Sequence, residues 1–209
     1  MTRNVSTMLS KFIDNQSDRT LVLYHGTGGD ENVLLPLARA VAPGFNYLSF
    51  RGDVVMGGLR RFCKVSERDD VMDEDDMFER IPAILEALNK EIKERDLKEV
   101  WTLGFSNGAN TITAMLLNEI TPFKKAILIR PMDIRTIGPV SNLNGLDILI
   151  HSGRYDDVIP MESSIDLEYR FRGMNASVEN VIYDLDHRMR QYEMDELKEW
   201  FERKMNDES

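Results

Sequence analysis

Ser106, His187 and an aspartate pair at Asp156 and Asp157 are the side chains here whose types and order could carry out covalent chemistry. The stretch "WTLGFSNGANTI" begins at Trp101 and sets Ser106 between Gly104 and Gly108. A serine hydroxyl becomes a nucleophile when a neighbouring base takes its proton. Ser106 stands where an apolar run stops and a helical pattern starts. On a sharp strand-to-helix turn, side chains two residues before or after the serine would collide, so glycine is favoured at both places. The helix that follows turns its N–H groups and its positive dipole end towards the hydroxyl. Composition alone produces Gly-x-Ser-x-Gly in roughly one chain of this length in fifteen. The plain alternative is a glycine-rich helix N-cap, so the other residues must carry the argument.

The chain has three histidines: His25, His151 and His187. A serine on such an elbow works with an acid and then a histidine further along the chain. His151 ends an apolar run just before the acid candidates and comes too early. His187, in "YDLDHRM", lies past the last strand pattern and before the last helical one, where a general base belongs. The acid should follow the preceding strand, where the chain reads "LDILIHSGRYDDVIP". Asp156 or Asp157 there could accept a hydrogen bond from the imidazole and hold its tautomer. One of the two could instead cap the helix opening near Pro160. Asp133, in "RPMD", is an outside candidate. An oxyanion hole needs two backbone donors. Asn107 N–H supplies the first, and Thr27 in the glycine-rich "LYHGTGGDE" is best placed for the second. That loop lacks the Lys-[Ser/Thr] ending of a P-loop and the spacing of a dinucleotide fingerprint.

These groups need a frame. β-rich runs recur as "TLVLYH" from Thr20, "FNYLSF" from Phe45, "EVWTLGF" from Glu99, "KKAILIR" from Lys124, "LDILIH" from Leu146 and "SVENVIYD" from Ser177. A weak strand between Met8 and Ile13 could precede them. Helical faces lie between: Leu34, Leu37, Ala38 and Val41; Ile81, Ile84, Leu85, Leu88 and Ile92; Ile112, Met115 and Leu116; Leu197, Trp200 and Phe201. Alternation of this kind predicts an α/β fold with a mostly parallel sheet covered on both faces. Ligands of such sheets gather at the carboxyl ends of the strands, where Ser106 falls.

The 209 residues suit one domain spanning 1–209, at 42% hydrophobic and 30% charged. A formal net charge of -10 argues against nucleic-acid binding. One cysteine, Cys63, rules out an internal disulfide and fits a reducing compartment. With no signal-like N-terminus and no membrane-length apolar run, the expected address is the cytoplasm. The acidic run "DDVMDEDD" from Asp69 lacks the glycine and terminal glutamate of a calcium loop, and reads as the first turn of a helix. No metal site is expected.

Taken together, "HGTGGDENVLLPLARAVAP", "GFSNGAN", "ILIRPM" and the Asp-Val-Ile-Pro turn resemble bacterial carboxylesterases of the phospholipase/carboxylesterase group, relatives of acyl-protein thioesterases. The resemblance runs from about residue 20 onward. It implies an α/β-hydrolase fold, no cofactor, and hydrolysis of carboxylic esters or thioesters, with Ser106 as nucleophile. The family's acid sits in an Asp-Pro-x-x-Pro turn, which favours Asp156. Here Asp157 replaces the first proline, and Leu185-Asp186-His187 stands for the family's usual Gly-Gly-His. Asp186 could raise the pKa of the histidine.

Substrate shape is read from two connections. "PMDIRTIGPVSNLNG" after Arg130 is too short for a helical cap, so an open site for small soluble esters is expected. "RGDVVMGGLRRFCKVSERDD" from Arg51 is long and without clear periodicity, and such loops are often functional. Met56, Leu59, Phe62 and Cys63 could line an acyl or aromatic groove. Arg60, Arg61 and Arg130 could bind an acidic substrate or form salt bridges within an acidic chain. Thioesterase or lysophospholipase activity would use the same triad, a small-molecule receptor on the same scaffold is the competing class, and a homodimer is left open.

Overall fold

The computed structural model describes residues 8–66, 71–138 and 142–207. Its strands are β1 (Ser10–Ile13), β2 (Arg19–Tyr24), β3 (Asn46–Phe50), β4 (Val54–Met56), β5 (Leu59–Arg61), β6 (Glu99–Phe105), β7 (Phe123–Ile129), β8 (Asp147–Gly153) and β9 (Ser177–Tyr183). Its helices are α1 (Leu35–Val41), α2 (Glu74–Arg95), α3 (Asn107–Asn118), α4 (Met161–Gly173) and α5 (Gln191–Asn206). Among the described residues, seven strands form one sheet in the order β1-β3-β2-β6-β7-β8-β9. β1 runs antiparallel to β3, and every other pairing in that sheet is parallel. The alternating pattern predicts this mostly parallel α/β sheet, and its architecture is the α/β-hydrolase fold that the resemblance implies.

Strand β2 shows why the sheet is covered twice. Leu21 and Leu23 join Trp101, Leu37, Trp200 and Phe201 on the face carrying α1 and α5. Val22 and Tyr24 join Ile84, Leu88, Ile112 and Phe171 on the face carrying α2, α3 and α4. All four β2 side chains are fully buried. Burial of Leu21, Val22 and Leu23 stabilises the fold by roughly 1.5–3 kcal/mol each.

Strand order reverses between β2 and β6, so the loops leaving these two strands part to form a crevice. Thr27 and Ser106 lie in those loops. Between β7 and β8 the described residues hold no helix, in line with the absence of a cap. The acidic run begins α2 as expected. Asp73 is the N-cap and accepts the Asp76 N–H at 3.1 Å, with Glu74, Asp75 and Asp76 in the first turn. Asp69 and Asp70 lie outside the described residues.

The excursion after Arg51 departs from the expectation of an unpatterned loop. β4 and β5 form a hairpin turning through Gly57 and Gly58, both at positive φ (56° and 76°). Two left-handed residues make the tight turn whose twist matches paired strands, and glycine adopts that conformation without strain.

Candidate active site

Ser106 is built from the turn outward. Its backbone has φ 50° and ψ -116°, outside the regions open to most residues, and its N–H donates to Ile129 O at 2.8 Å. The flanking glycines are required by contact. A Cβ on Gly104 would stand 2.7 Å from Gly108 C and O, and one on Gly108 would collide with the Tyr24 carbonyl. Ser106 occupies the N-cap position of α3, yet its hydroxyl caps nothing. The N-cap reading therefore fails. The hydroxyl lies 2.9 Å from His187 Nε2 instead.

The other imidazole nitrogen, Nδ1, stands 2.8 Å from Asp156 Oδ2. Asp156 Oδ1 accepts the N–H groups of Val158 and Ile159, each at 2.8 Å. Burial pushes the Asp156 carboxyl up. Hydrogen bonds from His187 and the two N–H groups outweigh it and hold the pKa below the usual carboxylate value. The group is therefore a carboxylate at neutral pH. Asp156 braces the turn before α4 as well as facing the imidazole, and Asp157 is exposed beside the serine. Asp133 is paired with Arg170, away from the imidazole. Asp186 turns its carboxylate to Arg188 N–H (2.9 Å) and Arg190, so it does not hydrogen-bond the ring.

Thr27, Ser106 and Asn107 line one cavity of about 300 Å³. Among the described residues, neither the Thr27 N–H nor the Asn107 N–H donates to another protein group. The loop before Thr27 is held by His25, whose Nε2 accepts the Gly52 N–H at 3.0 Å while Nδ1 lies 2.7 Å from Gly26 O. That pattern leaves the buried ring neutral, with its proton on Nδ1. The Asn107 side chain accepts from Phe62 N–H at 2.7 Å and donates to Cys63 Sγ at 3.4 Å. Burial pushes the Cys63 thiol up to about 12, which keeps it an inert packing group.

The cavity wall corrects the substrate-binding expectations. Val65, Met72, Met132 and Ile159 supply apolar surface, and Asn110 and Asp157 supply polar groups. None of Met56, Leu59, Arg60, Phe62 or Arg130 lines it. The Phe62 ring is fully buried against Tyr24 and His25, at centroid distances of 5.4 Å and 4.7 Å. Leu59 lies over Gly28, and Arg60 spends its guanidinium on Gly52 O. Met56 closes the hairpin opposite Leu59. Arg130 is buried on Glu193, with Nη1 and Nη2 each donating at 2.9 Å. Asn110 had a signal that went unread, since it sits one helical turn past the serine. Two wider grooves, of about 940 Å³ and 530 Å³, meet around Glu119 and Ile120, and among the described residues no Ser, Cys or His lines them.

MhqD of Bacillus subtilis (strain 168), a provisionally assigned hydrolase, is 35% identical over 189 residues, covering 88% of this chain and 93% of that protein. The chain belongs to the carboxylesterase-type α/β-hydrolases. A Bacillus cereus carboxylesterase structure is similar to this hydrolase with a TM-score of 0.89 and 30% identity, covering 95% of each chain. A Mesorhizobium loti carboxylesterase structure has a TM-score of 0.83 at 24% identity, covering 96% of each chain, a likeness of fold alone. No family model matches the chain. Among the described residues of this hydrolase, no helix is long and apolar enough to cross a membrane, and no three His, Cys, Asp or Glu side chains are grouped to hold a metal.

Proposed function

We propose that the protein is a serine esterase for small soluble carboxylic esters, with Ser106, His187 and Asp156 as its catalytic residues. The observation that supports this is the unbroken hydrogen-bond chain from Ser106 Oγ through the imidazole to Asp156, opening into a cavity beside two free N–H groups. Ser106 Oγ attacks the acyl carbon as His187 Nε2 takes its proton. The carbonyl oxygen gathers negative charge facing Thr27 N–H and Asn107 N–H. His187 returns the proton to the departing alcohol oxygen, which leaves an acyl-serine. Water then attacks the acyl carbon as the same nitrogen takes its proton, and that proton passes to Ser106 Oγ as the acyl–oxygen bond breaks and the acid leaves. Asp156 keeps the proton on Nδ1 and stabilises the imidazolium. Thioesters would pass through the same steps.

The Bacillus cereus carboxylesterase likeness supports the ester as substrate class. The reading takes the cytoplasm as working compartment, in keeping with a lone free cysteine. The test is turnover of p-nitrophenyl butyrate beside labelling by a fluorophosphonate probe. Ser106→Ala should fold, lose labelling, and lose about 10⁴-fold or more in kcat. Retention of turnover would sink the assignment. A receptor on the same scaffold would bind ester without turnover.

A further inference from the structure

We propose that Arg130 is a positioning residue for catalysis, fixing His187 over Ser106 through the backbone on both sides of the histidine. This rests on the esterase reading, in which His187 carries the proton. Arg130 follows β7 at a positive φ of 55°, and its side chain is fully buried. Its guanidinium reaches three partners. Nη1 and Nη2 grip the Glu193 carboxylate, Nε donates to Asp186 O at 3.3 Å, and Nη2 also donates to Arg188 O at 3.2 Å. Those two carbonyls belong to the residues immediately before and after His187.

Glu193 completes the clamp. It accepts the Arg190 N–H at 2.8 Å, so the same carboxylate holds the start of α5, where the His187 loop ends. Burial pushes the Glu193 carboxyl up, but the nearby His151 ring, at 3.7 Å, and the hydrogen bonds from Arg130 prevail and lower its pKa, which keeps it charged. From the β8 side, Tyr155 N–H donates to Leu185 O at 2.9 Å. Gly153 leaves room for the loop, since a Cβ there would stand 2.7 Å from Asp186 O. The loop is thus gripped from below by one planar fork. Arginine offers five donors in a rigid plane, enough for a carboxylate and two carbonyls together, whereas lysine has three on one point. A buried ion pair is poor at adding stability compared with apolar packing. What this pair supplies is the placement of the imidazole, where a displacement of about 1 Å costs on the order of 10²-fold in rate.

The experiment separates placement from stability. Wild type and Ser106→Ala are first compared on p-nitrophenyl butyrate. Arg130→Lys, Glu193→Gln and the double variant Arg130→Met/Glu193→Leu are then measured for kcat, KM and Tm. The double variant leaves no charge unpaired but strands the Asp186 and Arg188 carbonyls and the Arg190 N–H, so its Tm should fall by several degrees, and kcat is read well below that midpoint. Its kcat should fall on the order of 10²-fold with KM nearly unchanged. Arg130→Lys keeps the charge and should lose kcat to a lesser degree, and it decides the matter if the double variant does not fold. Wild-type kcat in whichever of these folds, or a loss that appears only in KM, would overturn the inference alone. A wild type with neither turnover nor fluorophosphonate labelling would overturn the esterase reading and the inference with it.

Discussion

Asp156 serves His187 with one carboxylate oxygen and its own turn with the other. Oδ2 lies 2.8 Å from His187 Nδ1, and Oδ1 accepts from Val158 and Ile159 N–H. The residue that orients the imidazole is therefore held by the turn it builds.

An amide at this position has one acceptor where two are needed. Asp156→Asn should lose up to about 10⁴-fold in kcat, the size of loss seen for the equivalent change in a serine protease. It should also lose about 1–3 kcal/mol of stability, since a buried partner is left unsatisfied. Asp157→Asn should keep nearly all its kcat. Steady-state kinetics and urea unfolding of both variants check this, and a dead Asp157→Asn beside an active Asp156→Asn would reverse the assignment.

The cavity of about 300 Å³ limits the acyl group. It is at the small end for ligand pockets. p-Nitrophenyl acetate and butyrate should be hydrolysed with higher kcat/KM than the palmitate. No jump in rate is expected as an ester passes its micellar concentration. A clear interfacial jump would show that a cover over the site exists after all.

Gly104 and Gly108 are fixed by close approach. Alanine at Gly108 would press on the Tyr24 carbonyl, and alanine at Gly104 on the α3 backbone. Backbone has no rotamer with which to give way, so each substitution should destabilise by at least about 1–3 kcal/mol. Activity should fall in the variants that remain folded, because Ser106 rides on the same turn. Near-wild-type unfolding midpoints would contradict this contact picture.

His25 gives a pH signature. Burial lowers its pKa below the ordinary 6.5, so the folded chain keeps the ring neutral where the unfolded chain protonates it. The unfolded state binds more protons in that window, so stability is present above 6.5 and is lost as pH falls towards the folded value. His25→Asn should be less stable than wild type at about pH 8, and the gap should narrow at about pH 5.5. Urea unfolding at the two pH values measures it. A gap that widens in acid would contradict a neutral buried ring.

The meeting of Ser106 with His187 was legible in the sequence for steric and combinatorial reasons, whereas the choice of Asp156 over Asp157 came only from the turn's resemblance to the carboxylesterase family. Glycines on both sides of a serine follow from the backbone crossing beneath it, and only one histidine comes late enough to meet that serine. Strands such as β2 and β6 announced themselves through apolar runs that only a doubly covered sheet can bury. The cavity wall was not legible, because it depends on where hairpin residues point. Phe62 looked like a groove residue, yet an aromatic cluster with Tyr24 and His25 draws it inside. Arg130 looked like an anion binder, and its destination is decided by Glu193, 63 positions away. The Gly57-Gly58 pair between two short β-rich stretches was a readable hairpin signal that the lack of longer periodicity hid.

The sheet order also sets when activity can arise during folding. Neighbouring central strands β2 and β6 pair Arg19 with Glu99, 80 positions apart, and Ser106 meets His187 across 81. Such long closures lose chain entropy before any pairing rewards them, which makes assembly slow. α2 and α3 need only local contacts and can form far sooner. After dilution from denaturant, helical circular dichroism should therefore return ahead of ester turnover, with hydrolysis beginning when the strand beside β8 docks and carries His187 into place.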